Sequence, residues 1–169
     1  MVKLVIEDDC LAPSPYMEIK YKGPNPFRVY PLTPGILKNI FVIRGKDIWE
    51  REFRWDITGD PRGFYVHIIV KKTLDAYTKI FAEIMMMGKQ PTDPTKEGEI
   101  LIRIGGKIHT KFGGNTIFSN PKNPLYKLFL ALYYPLYYAK IRRMFLMRCQ
   151  EYLMKLKKTY MQILGLKEE

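Results

Sequence analysis

The sequence predicts an α+β fold, in which an antiparallel sheet is covered by a long C-terminal helix. Ile48–Ile57 and Glu99–Phe112 alternate apolar and polar residues with a period of two, which is typical of half-buried antiparallel strands. The last third of the chain instead repeats apolar residues every three or four positions, as one face of a helix does. The apolar face of the sheet and the apolar face of the helix must each be buried against another element, so we expect the two to pack together.

Length and composition predict a single domain, residues 1–169, with 47% hydrophobic and 27% charged residues. No apolar run reaches the roughly 20 residues of a membrane span, so we expect no transmembrane segment. The N-terminus has no signal-peptide pattern. Cys10 and Cys149 are too few for a disulfide framework, and two free thiols in a reducing compartment are the simplest expectation. These features predict a cytoplasmic protein.

The first strand and the first helical segment are predicted from residues 16–43. Tyr16–Lys22 alternates like a strand. Phe27–Ile43 carries apolar residues at helical spacing, but Pro31 and Pro34 interrupt it. We therefore predict two short helices in this segment.

Four further strands are predicted: Ile48–Ile57, Phe64–Lys72, Tyr77–Met87 and Glu99–Phe112. By periodicity alone Tyr77–Met87 fits a strand or a helix, and its position between turns favours a strand. Gly105-Gly106 indicates a bulge or a bend. Thr116–Phe118 is a candidate for a last short strand.

Two helices are predicted between Asn120 and Leu164. Pro135 removes a backbone donor and clashes with the preceding turn, so the first helix should end or kink at about Tyr134. Gly165 is the expected stop of the second. The apolar stripe of the second helix is Ile141, Phe145, Cys149, Tyr152, Leu156, Tyr160 and Ile163.

This order of elements resembles the helix-grip fold of the START/Bet v 1-like (SRPBCC) superfamily. The resemblance is carried by the segments Tyr16–Lys22, Phe27–Ile43, the four strands from Ile48 to Phe112 and the helix Pro124–Leu164. It implies a curved antiparallel sheet gripping a long C-terminal helix, with two short helices between strands 1 and 2. The segment from Gly45 to Asp60 also looks like a group of uncharacterised archaeal proteins of this type.

The terminal segment departs from the usual pattern, since it is longer, more basic and interrupted by Pro135. Proteins of the superfamily commonly enclose a cavity for an apolar ligand between sheet and helix. Some are enzymes and others are lipid carriers, chaperone regulators or interaction modules, so the fold alone does not determine the function.

On this basis we predict a non-enzymatic protein with an internal hydrophobic cavity for an apolar or lipid-like small molecule, and with no cofactor. The predicted ligand-binding residues are Trp49, Arg51, Phe53, Trp55 and Ile102 on the sheet, and Phe145 and Tyr152 on the helix. Arg51 is the one charge on the face that Trp49, Phe53 and Trp55 are expected to share. It either orients a polar group of the ligand or extends to solvent and pairs with an acid such as Asp8 or Asp9.

We identify no catalytic set and no metal site in the sequence. His67 and His109 stand apart from any cluster of cysteines or acids. His109 is expected at the surface and His67 in the core. Cys149 lies on the apolar helix stripe, which indicates packing rather than nucleophilic chemistry.

Two alternative functions use the outside of the protein. The net charge is +11, and from Lys107 to Glu169 12 lysines and arginines stand against 3 acids, which is a net +9. This balance favours an anionic partner, although a solvated helix face accounts for it equally well. The predicted anionic partner surface is Arg103, Lys107, Lys111, Arg142, Arg143, Lys155, Lys157 and Lys158.

RNA or the ribosome is one such partner, and its binding would fall steeply with salt. The other is an anionic membrane surface, bound peripherally through the tyrosine-rich segment Tyr126–Tyr138 and the cations beside it. The same tyrosines also suit a packed helix whose phenols reach solvent or line a cavity.

Overall fold

Six antiparallel strands form one curved sheet, and a long C-terminal helix packs on its inner face. This computed structural model describes residues 4–112, 124–133 and 139–167. Its elements are β1 (Leu4–Asp9), β2 (Met17–Pro24), α1 (Val29–Phe41), β3 (Ile48–Trp55), β4 (Arg62–Thr73), β5 (Thr78–Gln90), β6 (Glu97–Phe112), α2 (Pro124–Tyr133) and α3 (Ala139–Leu164). The predicted α+β class is confirmed, and the arrangement is consistent with a helix-grip fold.

The strand β6 organises the sheet. The strand order is β1-β6-β5-β4-β3, and β2 also pairs with β6. β1 lies along Lys107–Phe112 and β2 along Glu97–Ile104, so the two short strands follow one another along the same edge. β1 precedes Tyr16–Lys22, which was predicted as the first strand, so β1 is an additional strand.

Gly105 and Gly106 are residues of β6, and they lie opposite the gap between β1 and β2. The β5–β6 ladder runs unbroken through both residues. Of the two predicted alternatives, the bulge is therefore wrong on this side of β6, and the bend stays a prediction. A Cβ on Gly105 would approach the Pro15 carbonyl oxygen to 2.8 Å, and one on Gly106 would approach Leu153 to 2.9 Å. The two glycines therefore admit the β1–β2 connection on one side of the sheet and α3 on the other.

The core lies between the inner face of the sheet and α3. Alternate residues of β4, β5 and β6, such as Val66, Ile84 and Ile102, are fully buried there. The buried residues of α3 are Phe145, Cys149, Leu153, Leu156, Tyr160 and Leu164. Four of them belong to the predicted stripe. Leu153 and Leu164 take the places expected for Tyr152 and Ile163, which are half-buried.

α1 is one helix of 13 residues, so the predicted break into two short helices is wrong. Pro31 lies in the first turn, where the backbone N–H has no helical partner to lose. Pro34 lies inside the helix at a cost of about 3 kcal/mol. The fully buried Leu37 and Phe41 offset that cost, since burying each such side chain contributes about 1.5–3 kcal/mol.

Val42 ends α1 in a left-handed conformation, with φ 50° and ψ 61°. That conformation costs an L-residue about 1–2 kcal/mol and costs glycine almost nothing. Because the Val42 side chain is 74% exposed, little packing would be lost on its removal. We expect Val42→Gly to raise the free energy of unfolding by about 0.5–1 kcal/mol in urea denaturation, after allowing for the flexibility of glycine in the unfolded chain.

The matched control for this variant is Val5→Gly, at a partly exposed valine in β1. Glycine in a strand interior lowers stability, so the two variants should change stability in opposite directions. A Val42→Gly protein as destabilised as the control would contradict the expectation.

The two cysteines form a disulfide, so the expectation of two free thiols is wrong. Cys10 follows β1 and Cys149 lies on α3, with a Cα–Cα distance of 5.9 Å and 139 residues between them in sequence. Both residues are buried. This pairing removes the reason for expecting a reducing compartment, and a cytoplasmic location stays a prediction.

The C-terminal part is described as two helical ranges, α2 (Pro124–Tyr133) and α3 (Ala139–Leu164). The predicted end or kink at Pro135, like the predicted strand Thr116–Phe118, lies outside the described residues. Gly165 stops α3 with φ 72°, and the N–H of Leu166 donates to the Met161 carbonyl at 2.9 Å. Within the described ranges, no helix has both the length and the apolar character that crossing a membrane requires.

Candidate functional site

The predicted ligand-binding face of β3 is divided by a bulge at Arg51. The β3–β4 register shifts between Glu50 and Glu52. Phe53 therefore lies opposite Val66 on the inner face, whereas Trp49 lies opposite Ile69 on the outer face. The prediction that Trp49, Phe53 and Trp55 share one face is wrong, because one extra residue reverses the alternation beyond it.

Arg51 itself occupies the bulge with an exposed side chain. Asp8, which the sequence offered as its partner, instead accepts two hydrogen bonds from the Arg142 guanidinium, one of them at 2.8 Å from Nε. This bidentate contact links β1 to the start of α3.

Phe53 and Trp55 belong to an aromatic cluster that closes one end of the sheet against α1. The Phe27 ring is its centre, at 4.6 Å from the Trp55 ring and 4.9 Å from the Tyr30 ring. The Tyr30 hydroxyl donates to Glu50 at 2.6 Å. Burial, helped by the Glu50 carboxylate, raises the pKa of Tyr30 to about 12.

The other predicted ligand-binding residues lie elsewhere. Ile102 and Phe145 are buried in the core, and Tyr152 packs against Phe41 with 5.2 Å between the rings. None of the seven predicted residues lines any of the four pockets that stand out among the described residues. Binding of an apolar molecule inside the fold stays a prediction.

The eight cations of the predicted anionic partner surface lie on two sides of the molecule. Arg103, Lys107 and Lys111 project from the outer face of β6, and the other five lie on α3, which covers the inner face. Arg103 is paired with Glu18 at 2.8 Å, and Arg142 is paired with Asp8. These eight residues therefore do not form one continuous surface, and RNA binding stays a prediction.

The two histidines lie on the outer face of the sheet, His67 on β4 and His109 on β6. His109 lies 3.2 Å from a carboxylate oxygen of Glu7. His67 is on the outer face of β4, half-buried, and its Nε2 has no hydrogen-bond partner among the described residues. In the same part of the chain, no group of three or more His, Cys, Asp or Glu side chains could hold a metal ion.

The helix α2 places large apolar side chains in water. Leu125, Leu128 and Leu132 are spaced as one helix face, and they are 61%, 56% and 54% exposed. Lys127 is exposed beside them. Sequence reasoning singled out the tyrosines of this segment and missed the leucines, because periodicity alone does not say whether an apolar face is covered.

The first half of α3 adds an exposed stripe in which two methionines lie among three cations and one acid. Met144 and Met147 are 48% and 56% exposed. Together with Lys140, Arg143, Arg148 and Glu151, they line a shallow pocket of about 340 Å³. We call these residues the α3 stripe.

Comparison with known proteins leaves the chain without a family. No described protein family matches it, and no curated protein does. Among solved structures, it is similar to an uncharacterised protein from Rhizobium leguminosarum, with 9% identity over 92% of this chain and 99% of the other, at a TM-score of 0.20. A likeness of that size carries no argument about function, and the superfamily resemblance stays a prediction.

Proposed function

We propose that this protein attaches peripherally to an anionic membrane surface through α2 and the α3 stripe. The observation that carries the proposal is the exposure of Leu128 and Leu132 on a helix beside cations. Full burial of a leucine side chain contributes about 1.5–3 kcal/mol. Since each leucine is about half exposed, moving the two into the boundary between headgroups and acyl chains would contribute about 1 kcal/mol each.

Charge supplies the second part of the attraction. Lys127, Lys140, Arg143 and Arg148 are exposed, and each cation near an anionic leaflet contributes about 1 kcal/mol. No aspartate or glutamate occurs between Glu99 and Glu151. Glu151 lies at the far end of the α3 stripe, where cations outnumber it three to one. Apolar insertion combined with a basic flank is the usual way in which a protein binds a membrane stably without spanning it.

The residue types next to α2 in the sequence support attachment at the membrane surface. The sequence that follows, residues 134–138, contains three tyrosines, and this residue type is enriched where lipid meets water.

Vesicle flotation tests the proposal. We expect the protein to float with vesicles of phosphatidylcholine and phosphatidylserine, to float weakly with phosphatidylcholine alone, and to dissociate as salt is raised. The double variant Leu128→Glu/Leu132→Glu should lose flotation, because it places two carboxylates where apolar contact and anionic lipid meet.

Ile57→Glu is the matched control, since Ile57 is 73% exposed in the loop after β3, outside the proposed surface. This variant should float like the unchanged protein. Failure of the unchanged protein to float, or equal flotation of all three proteins, would rule the proposal out.

A further inference from the structure

The strand β2 leaves one of its edges open. In the part of the chain that the structure describes, β2 pairs with β6 and with no other strand. In an antiparallel pair, alternate residues direct their backbone N–H and C=O groups away from the partner strand. The open edge of β2 is therefore a row of backbone donors and acceptors that another extended chain could pair with.

A groove follows this open edge. It has a volume of about 760 Å³ and lies between Glu18–Lys20 of β2 and the last turns of α3. Three consecutive strand residues line it, although their side chains alternate between the two faces of the sheet. The groove therefore runs along the backbone edge itself. Its volume is in the range of binding sites, roughly 300–1,000 Å³.

Three apolar side chains line the groove from the α3 side. Met154, Met161 and Leu166 line it, and Met154 is 57% exposed. Methionine side chains are flexible and polarizable, so they adapt to different apolar partners. A strand added beside β2 would direct every second side chain towards these residues, because α3 covers the inner face of the sheet.

The side chains that line the groove carry a net positive charge. Lys20, Lys157, Lys158 and Lys167 line it, with Glu18 as the one acid among the described lining residues. The Glu18 carboxylate already accepts a hydrogen bond from Arg103 Nε at 2.8 Å. The electrostatic complement of this lining is an acidic chain.

We propose that the groove binds an extended acidic segment of another protein, which adds to the open edge of β2 as a further strand. Apolar side chains of the segment would face the methionines. Its carboxylates, on the outer side, would lie beside Lys20 and in the positive field of Lys157, Lys158 and Lys167. A second copy of this chain is a poor occupant, since pairing β2 with β2 would bring the exposed Lys20 and Lys22 of both copies together.

Fluorescence anisotropy with a labelled peptide of alternating glutamate and valine tests this proposal. We expect it to bind the full chain, and we expect two control peptides to bind at least about tenfold more weakly, a difference of about 1.4 kcal/mol. The first control replaces every second valine by proline, which cannot donate to a strand. The second replaces glutamate by lysine.

A pair of charge-reversal variants locates the binding site. Lys157→Glu/Lys167→Glu should weaken binding of the acidic peptide about tenfold or more, whereas Lys46→Glu/Lys79→Glu, at exposed lysines away from the groove, should leave it nearly unchanged. Hydrogen exchange should slow at alternate amides of Met17–Pro24 when the peptide is present. The Leu128→Glu/Leu132→Glu protein should bind the peptide normally.

Three results would overturn the inference. In the first, the proline peptide binds as well as the alternating peptide, so that charge alone accounts for binding. In the second, both charge-reversal variants bind alike. In the third, no peptide binds, and Lys157→Glu/Lys167→Glu instead abolishes flotation with anionic vesicles, which would make the groove a lipid headgroup site.

Discussion

Replacing Cys10 and Cys149 by alanine is expected to lower the free energy of unfolding by about 2–5 kcal/mol. The disulfide closes a loop across 139 residues of sequence, and the entropy that such a closure removes from the unfolded chain approaches about 5 kcal/mol in the chain-entropy description. The cross-link joins the end of β1 to α3, so its loss removes the covalent link between them and leaves the Arg142–Asp8 contact and the core packing of α3 in place. The midpoint of thermal unfolding should fall by roughly 5–20 °C.

Circular dichroism melts with and without dithiothreitol measure this effect. The unchanged protein should melt at a lower temperature when it is reduced, and the double alanine variant should melt alike in both conditions. Titration of thiols in denaturant should find none before reduction and two after it. Two reactive thiols in the unreduced protein, or a melting point that reduction does not change, would show that the cross-link is absent or energetically silent.

Thr33→Val is expected to destabilise the protein by about 1–3 kcal/mol and Tyr160→Phe by about 1 kcal/mol. Both residues are fully buried between α1 and α3. The Tyr160 hydroxyl donates to Thr33 Oγ1 at 3.1 Å, and Thr33 donates in turn to the Val29 carbonyl at 2.9 Å. Valine at position 33 would leave the tyrosine hydroxyl buried without an acceptor, whereas phenylalanine at position 160 leaves no orphaned donor.

The double variant Thr33→Val/Tyr160→Phe decides whether this asymmetry is real. It should be more stable than Thr33→Val alone, because it removes both polar groups together. Urea denaturation of the four proteins gives the coupling. A double variant less stable than Thr33→Val would show that packing, and not the unsatisfied hydroxyl, sets the cost.

The same pair makes stability depend on alkaline pH. Burial raises the pKa of Tyr160 above the ordinary tyrosine value of about 10. Its contribution to stability is therefore complete below about pH 10 and is lost as the pH rises towards the folded-state pKa. The unchanged protein should lose stability above about pH 10 more steeply than Tyr160→Phe, and Tyr30 should account for part of the dependence that remains.

The secondary structure could be predicted largely from local periodicity. The strand around Ile102 has a period of two and the buried apolar face of α3 has a period of three to four, and the structure confirms both elements. The strand around Ile84 is also confirmed, although its prediction depended on the turns beside it, and β3 is a strand whose alternation is interrupted at Arg51. The errors arise where tertiary contacts override a local signal. Pro34 did not break α1, because the burial of Leu37 and Phe41 outweighs its cost.

The candidate site was less accessible to sequence reasoning than the fold. The predicted face of β3 depended on unbroken alternation, and the bulge at Arg51 is visible only in the register with β4. In the sequence the leucines of α2 cannot be told from core residues, and only the structure shows that they are exposed. The open edge of β2 depends on which strands pair, which no local pattern encodes.

By itself the sequence determined the α+β class, most of the strands, the terminal helix with its buried stripe and the basic character of the C-terminal third. Each of these is a property of neighbouring residues, set by the geometry of a single helix or strand. Tertiary structure alone decided the Cys10–Cys149 disulfide, the two faces of β3, the placement of β1 and β2 along β6, and the apolar surface left in water. Each of those depends on which distant segments meet, and that is settled by the burial and pairing of the whole chain together.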